Sequence, residues 1–285
     1  MILRFSIPAI AAAAFLAATG GLRAYSTVNF TLSLDASDPG TTFNNFREGG
    51  KGTNNVYAIA FNTEVSQIDG TPTSTGKIAS FCTELEEGIS ATSYTFESRV
   101  LAEVSAGRAG QSGTASIGIP IGGIGELRAA RVRYLFDQHY QSNTISLWTN
   151  TVTQPLTQAF QIALWEVTHD SDLSLSLTSG VTYVGTQNTT RSTNAVNIAA
   201  GWLTGIANAN ISTAYTSTTW DVWTLISSTG NTATGYGFQD VLWATAFSDP
   251  RKTTFETMST APEPSIPLLG LLALALLNRR SRFCA

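Results

Sequence analysis

Two residues with side chains suited to covalent chemistry stand in short aromatic-flanked stretches. Cys82 lies in Ser80-Phe81-Cys82-Thr83-Glu84, and Gln161 in Phe160-Gln161-Ile162-Ala163-Leu164-Trp165. A thiol is a nucleophile when ionised and a small apolar side chain when buried. The other cysteine, Cys284, is the penultimate residue. A lone thiol in an exported chain is paired with another molecule, reactive, or simply buried. Gln161 sits between Phe160 and Ile162, so its amide is expected inside, where it must be hydrogen-bonded or otherwise used. A core glutamine bonded to main chain meets that demand without any chemistry. Three further groups stand near these two in sequence. Glu84 follows Cys82 by two residues, placed to orient a donor or to be solvated. His169 and Asp170 end the stretch that carries Gln161. An imidazole there is a base near neutral pH, or a surface histidine favoured by a helix C-terminus. His139, in Phe136-Asp137-Gln138-His139, has the same two readings.

Other chemistries find no support. A cysteine protease needs a histidine and an orienting group around the thiol, and no local signature supplies them. No Cys/His cluster has metal-ligand spacing, and neither a metal nor a cofactor is expected. The glycines of Gly122-Gly123-Ile124-Gly125 precede a helical pattern but do not form a phosphate-binding motif. Ser171-Asp172-Leu173-Ser174 lacks the spaced acids of a calcium loop.

The segments that must position these groups show two periodicities. Val28, Phe30, Leu32 and Leu34 alternate as in a strand, 56–65 is a second strand candidate, and 78–82 places Ile78, Ser80 and Cys82 on one face with Ala79 and Phe81 on the other. The stretch 93–104 reads as a further strand or strand pair. From 126 the period becomes helical: Leu127, Ala130, Tyr134 and Leu135 in the first run; Leu156, Phe160, Leu164 and Val167 in the second; Ala195, Ala199, Trp202 and Ile206 in the third, with Ser192 or Thr193 as its N-cap. The Ser/Thr-rich loop over 170–190 has room for a short hairpin. Strand patterns return at 220–228 and 235–246. The expected fold is α+β: a β-sandwich or barrel-like sheet with an inserted three-helix subdomain, β-rich over 25–125, helical over 126–208, and closed by strands over 209–258.

Both ends read as addresses. Residues 1–24 carry Arg4, an apolar run from Ile7 to Ala18 and small residues before a cut, the layout of a secretory signal peptide. Residues 261–285 hold Pro262-Glu263-Pro264, an apolar stretch over 266–277, and Arg279, Arg280 and Arg282. Arginines after an apolar helix stay on the cytoplasmic side. The full chain has 16 Lys+Arg and 20 Asp+Glu; five of those arginines and Glu263 lie in the two ends, so the part between them carries a net charge of −8. An acidic domain without a Lys/Arg cluster is a poor binder of phosphate backbones, and no nucleic-acid partner is expected.

The tail resembles the PEP-CTERM sorting signal of Gram-negative bacteria. That resemblance implies transient anchoring in the inner membrane through 266–277, cleavage near the Pro-Glu-Pro triplet by an exosortase-type enzyme, and a final place at the cell surface or in secreted matrix. The body, over about residues 55–245, resembles bacterial surface thioester domains of the TQXA type. These have an aromatic-Cys-x-acid stretch and, about 80 residues later, a helix reading Thr-Gln-x-Ala-aliphatic-Trp. Here Phe81-Cys82-Thr83-Glu84 matches the first, and Gln161-Ile162-Ala163-Leu164-Trp165 matches the second, with Phe160 where that family has Thr. The resemblance implies an internal thioester between Cys82 and Gln161. It also implies single-use covalent attachment to an amine or hydroxyl of an extracellular polysaccharide or protein, without enzymatic turnover. A passive matrix module with a buried Cys82 is the other reading.

Overall fold

Strand alternation and helical periodicity both become structure, and the pairing of the strands closes on itself. The computed structural model describes residues 27–33, 42–48, 54–68, 70–83, 93–98, 101–103, 123–149, 152–169, 174–179, 182–187, 189–227 and 240–249, all within one unit, Ser26–Ser259. The strands are β1 (Thr27–Ser33), β2 (Thr42–Glu48), β3 (Asn54–Tyr57), β4 (Phe61–Ile68), β5 (Thr71–Pro72), β6 (Ile78–Cys82), β7 (Ser93–Ser98), β8 (Thr182–Val184), β9 (Trp220–Ser227) and β10 (Val241–Ala246). The main sheet runs β1-β7-β9-β10-β6-β4-β5, and β1 also pairs with β4. Six strands therefore form a ring in which every ladder is antiparallel, with β5 appended to β4. A ring leaves no long unpaired edge. A separate three-stranded sheet has the order β3-β2-β8.

The helices are α1 (Gly125–His139), α2 (Ser146–Thr149), α3 (Gln154–His169) and α4 (Thr190–Asn208). The sequence announces three of them; α2 is a single turn, too short for periodicity to reveal. Within the 170–190 loop, Val184 N–H of β8 donates to Leu177 O at 2.9 Å, and the strand also finds a distant partner. It pairs with β2, Val184 opposite Phe46, across a sequence separation that local patterning cannot encode. The N-cap of α4 is Thr189, not Ser192 or Thr193. Its hydroxyl accepts from the Ser192 backbone N–H at 3.1 Å, so those two residues belong to the first turn.

The period-2 pattern of β6 divides its side chains between two cores. Phe61, Val65, Ile78, Cys82, Leu225 and Trp243 belong to the core within the ring. The hydroxyls of Thr63 and Ser80, both buried, bond to each other. Phe81 belongs to the larger core, with α1, α3 and α4. Helix α3 is buried from Thr157 to His169 without a break. A helix buried nearly all round is a central helix, and α3 packs on α1, α2 and α4 as well as on β6.

Asp137 of α1 fastens the loop before β9. Its carboxylate accepts from Tyr215 Oη, Ser217 Oγ, the Thr218 and Thr219 backbone N–H groups and the Trp220 N–H, all within 2.5–3.2 Å. Burial alone would raise its pKa; the bonds from Ser217, Thr218, Tyr215 and Thr219 outweigh that and hold it below the ordinary carboxylate value.

Candidate functional site

The site forms where β6 outlasts one of its neighbours. In an antiparallel ladder, a residue's N–H and C=O point to the same edge, and successive residues alternate between edges. Thr83 N–H donates to Asp240 O at 3.0 Å on the β10 side. On that side too, Ala79 N–H donates to Asn143 O at 2.8 Å. Ser80 and Ile78 face β4, opposite Phe61 and Thr63. Cys82 must face the same way as Ser80, but β4 begins at Phe61, so no strand residue stands opposite Cys82.

Gln161 fills that position. Cys82 N–H donates to Gln161 Oε1 at 3.0 Å, and Gln161 Nε2 donates to Cys82 O at 2.7 Å. One carboxamide thus replaces the N–H and C=O of a missing strand residue. Cys82 is 1% exposed and Gln161 0%. The two polar atoms of the carboxamide thus bracket the main chain of Cys82. The thiol, which is in no disulfide, is buried.

Aromatic rings close the helix side of the pair. Phe81 and Phe160, each the residue before a member of the pair, have ring centroids 4.7 Å apart. Trp148 meets Phe81 edge-on at 4.9 Å, and Tyr140 stands 5.8 Å from Phe160. Tyr140 Oη also donates to Ala79 O at 3.2 Å, tying the end of α1 to β6. Phe160 is therefore part of the wall around the pair.

The remaining sequence candidates are placed differently. His169 is fully buried, which overturns the surface reading. Its Nδ1 lies 3.0 Å from both Trp165 O and Thr168 Oγ1. Eight residues along α3 place it about 12 Å from Gln161 at 1.5 Å rise per residue, so it is not a base at the pair. His139 is half-buried and stacks on Trp202, centroids 4.3 Å apart and 12° from parallel. Burial pushes its pKa down from 6.5 to about 4. The neutral ring is the folded form, so its contribution to stability is full above pH 6.5. It is lost as pH falls towards 4, because the unfolded chain takes up a proton that the folded one refuses. Thermal melts of His139→Phe, which keeps the stack, should show a smaller loss of Tm between pH 6.5 and 4 than wild type; equal losses would refute this. Glu84, Asp170, Pro262, Glu263, Pro264, Arg279 and Arg280 lie outside the described residues.

Sequence reasoning missed Gln158. It is fully buried on α3, three residues before Gln161, and neither Oε1 nor Nε2 has a hydrogen-bond partner. Its signal was present in the glutamine spacing of Gln154, Gln158 and Gln161, which places all three on one helix face. Among the described residues, no three His, Cys, Asp or Glu are grouped to hold a metal, and no helix is long and apolar enough to cross a membrane.

The chain is similar to the N-terminal thioester domain of fibronectin-binding protein SfbI from Streptococcus pyogenes, with a TM-score of 0.35 and 11% identity, over 74% of this chain and 94% of that chain. No protein-family model matches the chain, and no curated protein matches it in sequence.

Proposed function

We propose that the chain is an exported surface or matrix protein whose Cys82 and Gln161 condense into an internal thioester used once, for covalent attachment. The observation that carries this reading is the docking of the Gln161 carboxamide on the main chain of Cys82 inside a buried, aromatic-walled site. The Cys82 sulfur adds to the Gln161 side-chain carbon, the C–N bond breaks, and the nitrogen leaves as ammonia with the thiol proton. The Cys82 N–H already at Oε1 stabilises the negative charge that gathers on that oxygen during addition. Strand and helix hold both reactants in place, which lowers the entropic barrier. A target amine or hydroxyl then attacks the same carbon, forms an amide or ester, and returns the thiol. Each molecule reacts once, so this is not turnover.

The terminal sequences support the route outward: export by the 1–24 signal, transient inner-membrane anchoring through 266–277, and release near Pro262-Glu263-Pro264 by an exosortase-type enzyme. The final place is the cell surface or secreted matrix of a Gram-negative bacterium, with a polysaccharide or protein surface as target. A passive matrix module is the second reading, favoured by one observation: Cys82 is grouped with the apolar residues of the ring interior, as a small apolar side chain would be.

Intact-mass measurement separates the two. The purified domain should weigh about 17 Da less than its sequence mass, the ammonia lost. That deficit should vanish in Cys82→Ala, and in wild type after methylamine treatment, which should add the amine at Gln161 and expose one titratable thiol. Full sequence mass in untreated wild type would establish the passive module.

A further inference from the structure

The carboxamide of Gln158 contrasts with that of Gln161 on the same helix. Both of its polar atoms are buried without a hydrogen bond, while Gln161, one turn on, uses both of its own. Thr157, its neighbour in sequence, is also satisfied, donating to Trp148 O at 2.5 Å. A buried primary amide without partners is destabilising, and an apolar side chain of the same shape would be better in a site with no other use. Positions three apart on a helix are neighbours on its surface. Gln158 and Gln161 therefore share a face of α3, and the side-chain carbon of the second is where, on the reading above, ammonia leaves and a target nucleophile arrives.

We propose that Gln158 is the positioning residue for the nitrogen that moves through this site, and so tunes it towards primary amines. When the Cys82–Gln161 bond forms, Gln158 Oε1 accepts a hydrogen bond from the nitrogen departing as ammonia. When the bond is opened, the same oxygen accepts from the incoming amine and leaves its lone pair directed at the Gln161 carbon. No proton is consumed by Gln158: the leaving nitrogen takes the thiol proton, and the attacking amine returns one to the sulfur. A carboxamide suits the task better than a carboxylate, since it accepts a hydrogen bond without adding a charge to a dry site. The inference rests on the thioester reading and narrows its target class to amines.

The test is Gln158→Met in the full domain, with three readouts. The first is the rate of the 17 Da loss after refolding from urea; the second is the rate at which methylamine, against methanol, opens the bond; the third is Tm. Loss of one hydrogen bond at the moving nitrogen should slow both bond formation and opening by methylamine about tenfold or more, while Tm stays level or rises. Opening by methanol, slower throughout, should change less. A merely structural Gln158 would move Tm and leave the rates alone. Wild-type rates in Gln158→Met with the 17 Da loss intact would overturn this inference and spare the thioester reading. Absence of that loss in wild type would overturn both.

Discussion

Gln161→Leu should melt about 5–15 °C below Cys82→Ala, in which the carboxamide is retained, and should show no 17 Da mass deficit. The leucine keeps the apolar contacts of α3 but withdraws both groups that serve Cys82. The Cys82 N–H and C=O, now bonded at 3.0 and 2.7 Å, would be left buried beyond the end of β4. An orphaned buried main-chain group costs about 1–3 kcal/mol, and here there are two. Cys82→Ala is the informative contrast, because it leaves the main chain and its docked carboxamide in place. It should lose the mass deficit with a much smaller fall in Tm. Calorimetry and mass spectrometry on the two variants thus separate what Gln161 does for the fold from what it does with the thiol. Equal thermal stability in Gln161→Leu and Cys82→Ala would mean that the carboxamide does not stand in for a strand residue.

Phe160→Ala carries the other large effect. Phe160 is fully buried and touches Phe81, Phe136, Trp148 and Tyr140, its ring 4.7, 5.0, 5.4 and 5.8 Å from theirs. Truncating a core phenylalanine costs about 3–5 kcal/mol, the lost transfer energy plus the cavity left behind. For a domain of this size that is a fall in Tm of about 10 °C or more. The cavity would open beside Gln161 and admit water to the thioester carbon. Spontaneous hydrolysis, followed as a gain of about 18 Da over the closed form and the appearance of a titratable thiol, should therefore accelerate even well below the melting transition. Phe160→Leu should fall between the two. A Phe160→Ala variant as stable as wild type would show that these rings do not form one packed unit.

The α+β class, the strand over 78–82 and the long helices were legible because each has a period that sequence displays directly. Burial of Gln161 followed from its flanking Phe160 and Ile162. Its pairing with Cys82 was suggested by a resemblance in two short stretches, not by spacing. What the sequence does not show has a common cause. A histidine that ends a helix reads as a base or as a surface residue, and nothing local says that the last turn of α3 is covered, as His169 is. Nor does the 170–190 loop name the ladder partner of β8, since β2 lies more than a hundred residues away.

By itself, the sequence determined which residues stand on which face of each element. Local sterics and alternation settle that Phe81 and Cys82 point to opposite sides of β6, and that Gln158 and Gln161 share a side of α3. Only the tertiary structure decided that β4 starts two residues too late to pair with Cys82, and that a side-chain amide takes the empty place. The reason is that hydrogen-bond completion at a buried strand end is a sum over every chain segment that reaches it. No window of sequence contains both the end of one strand and the helix that arrives to finish it.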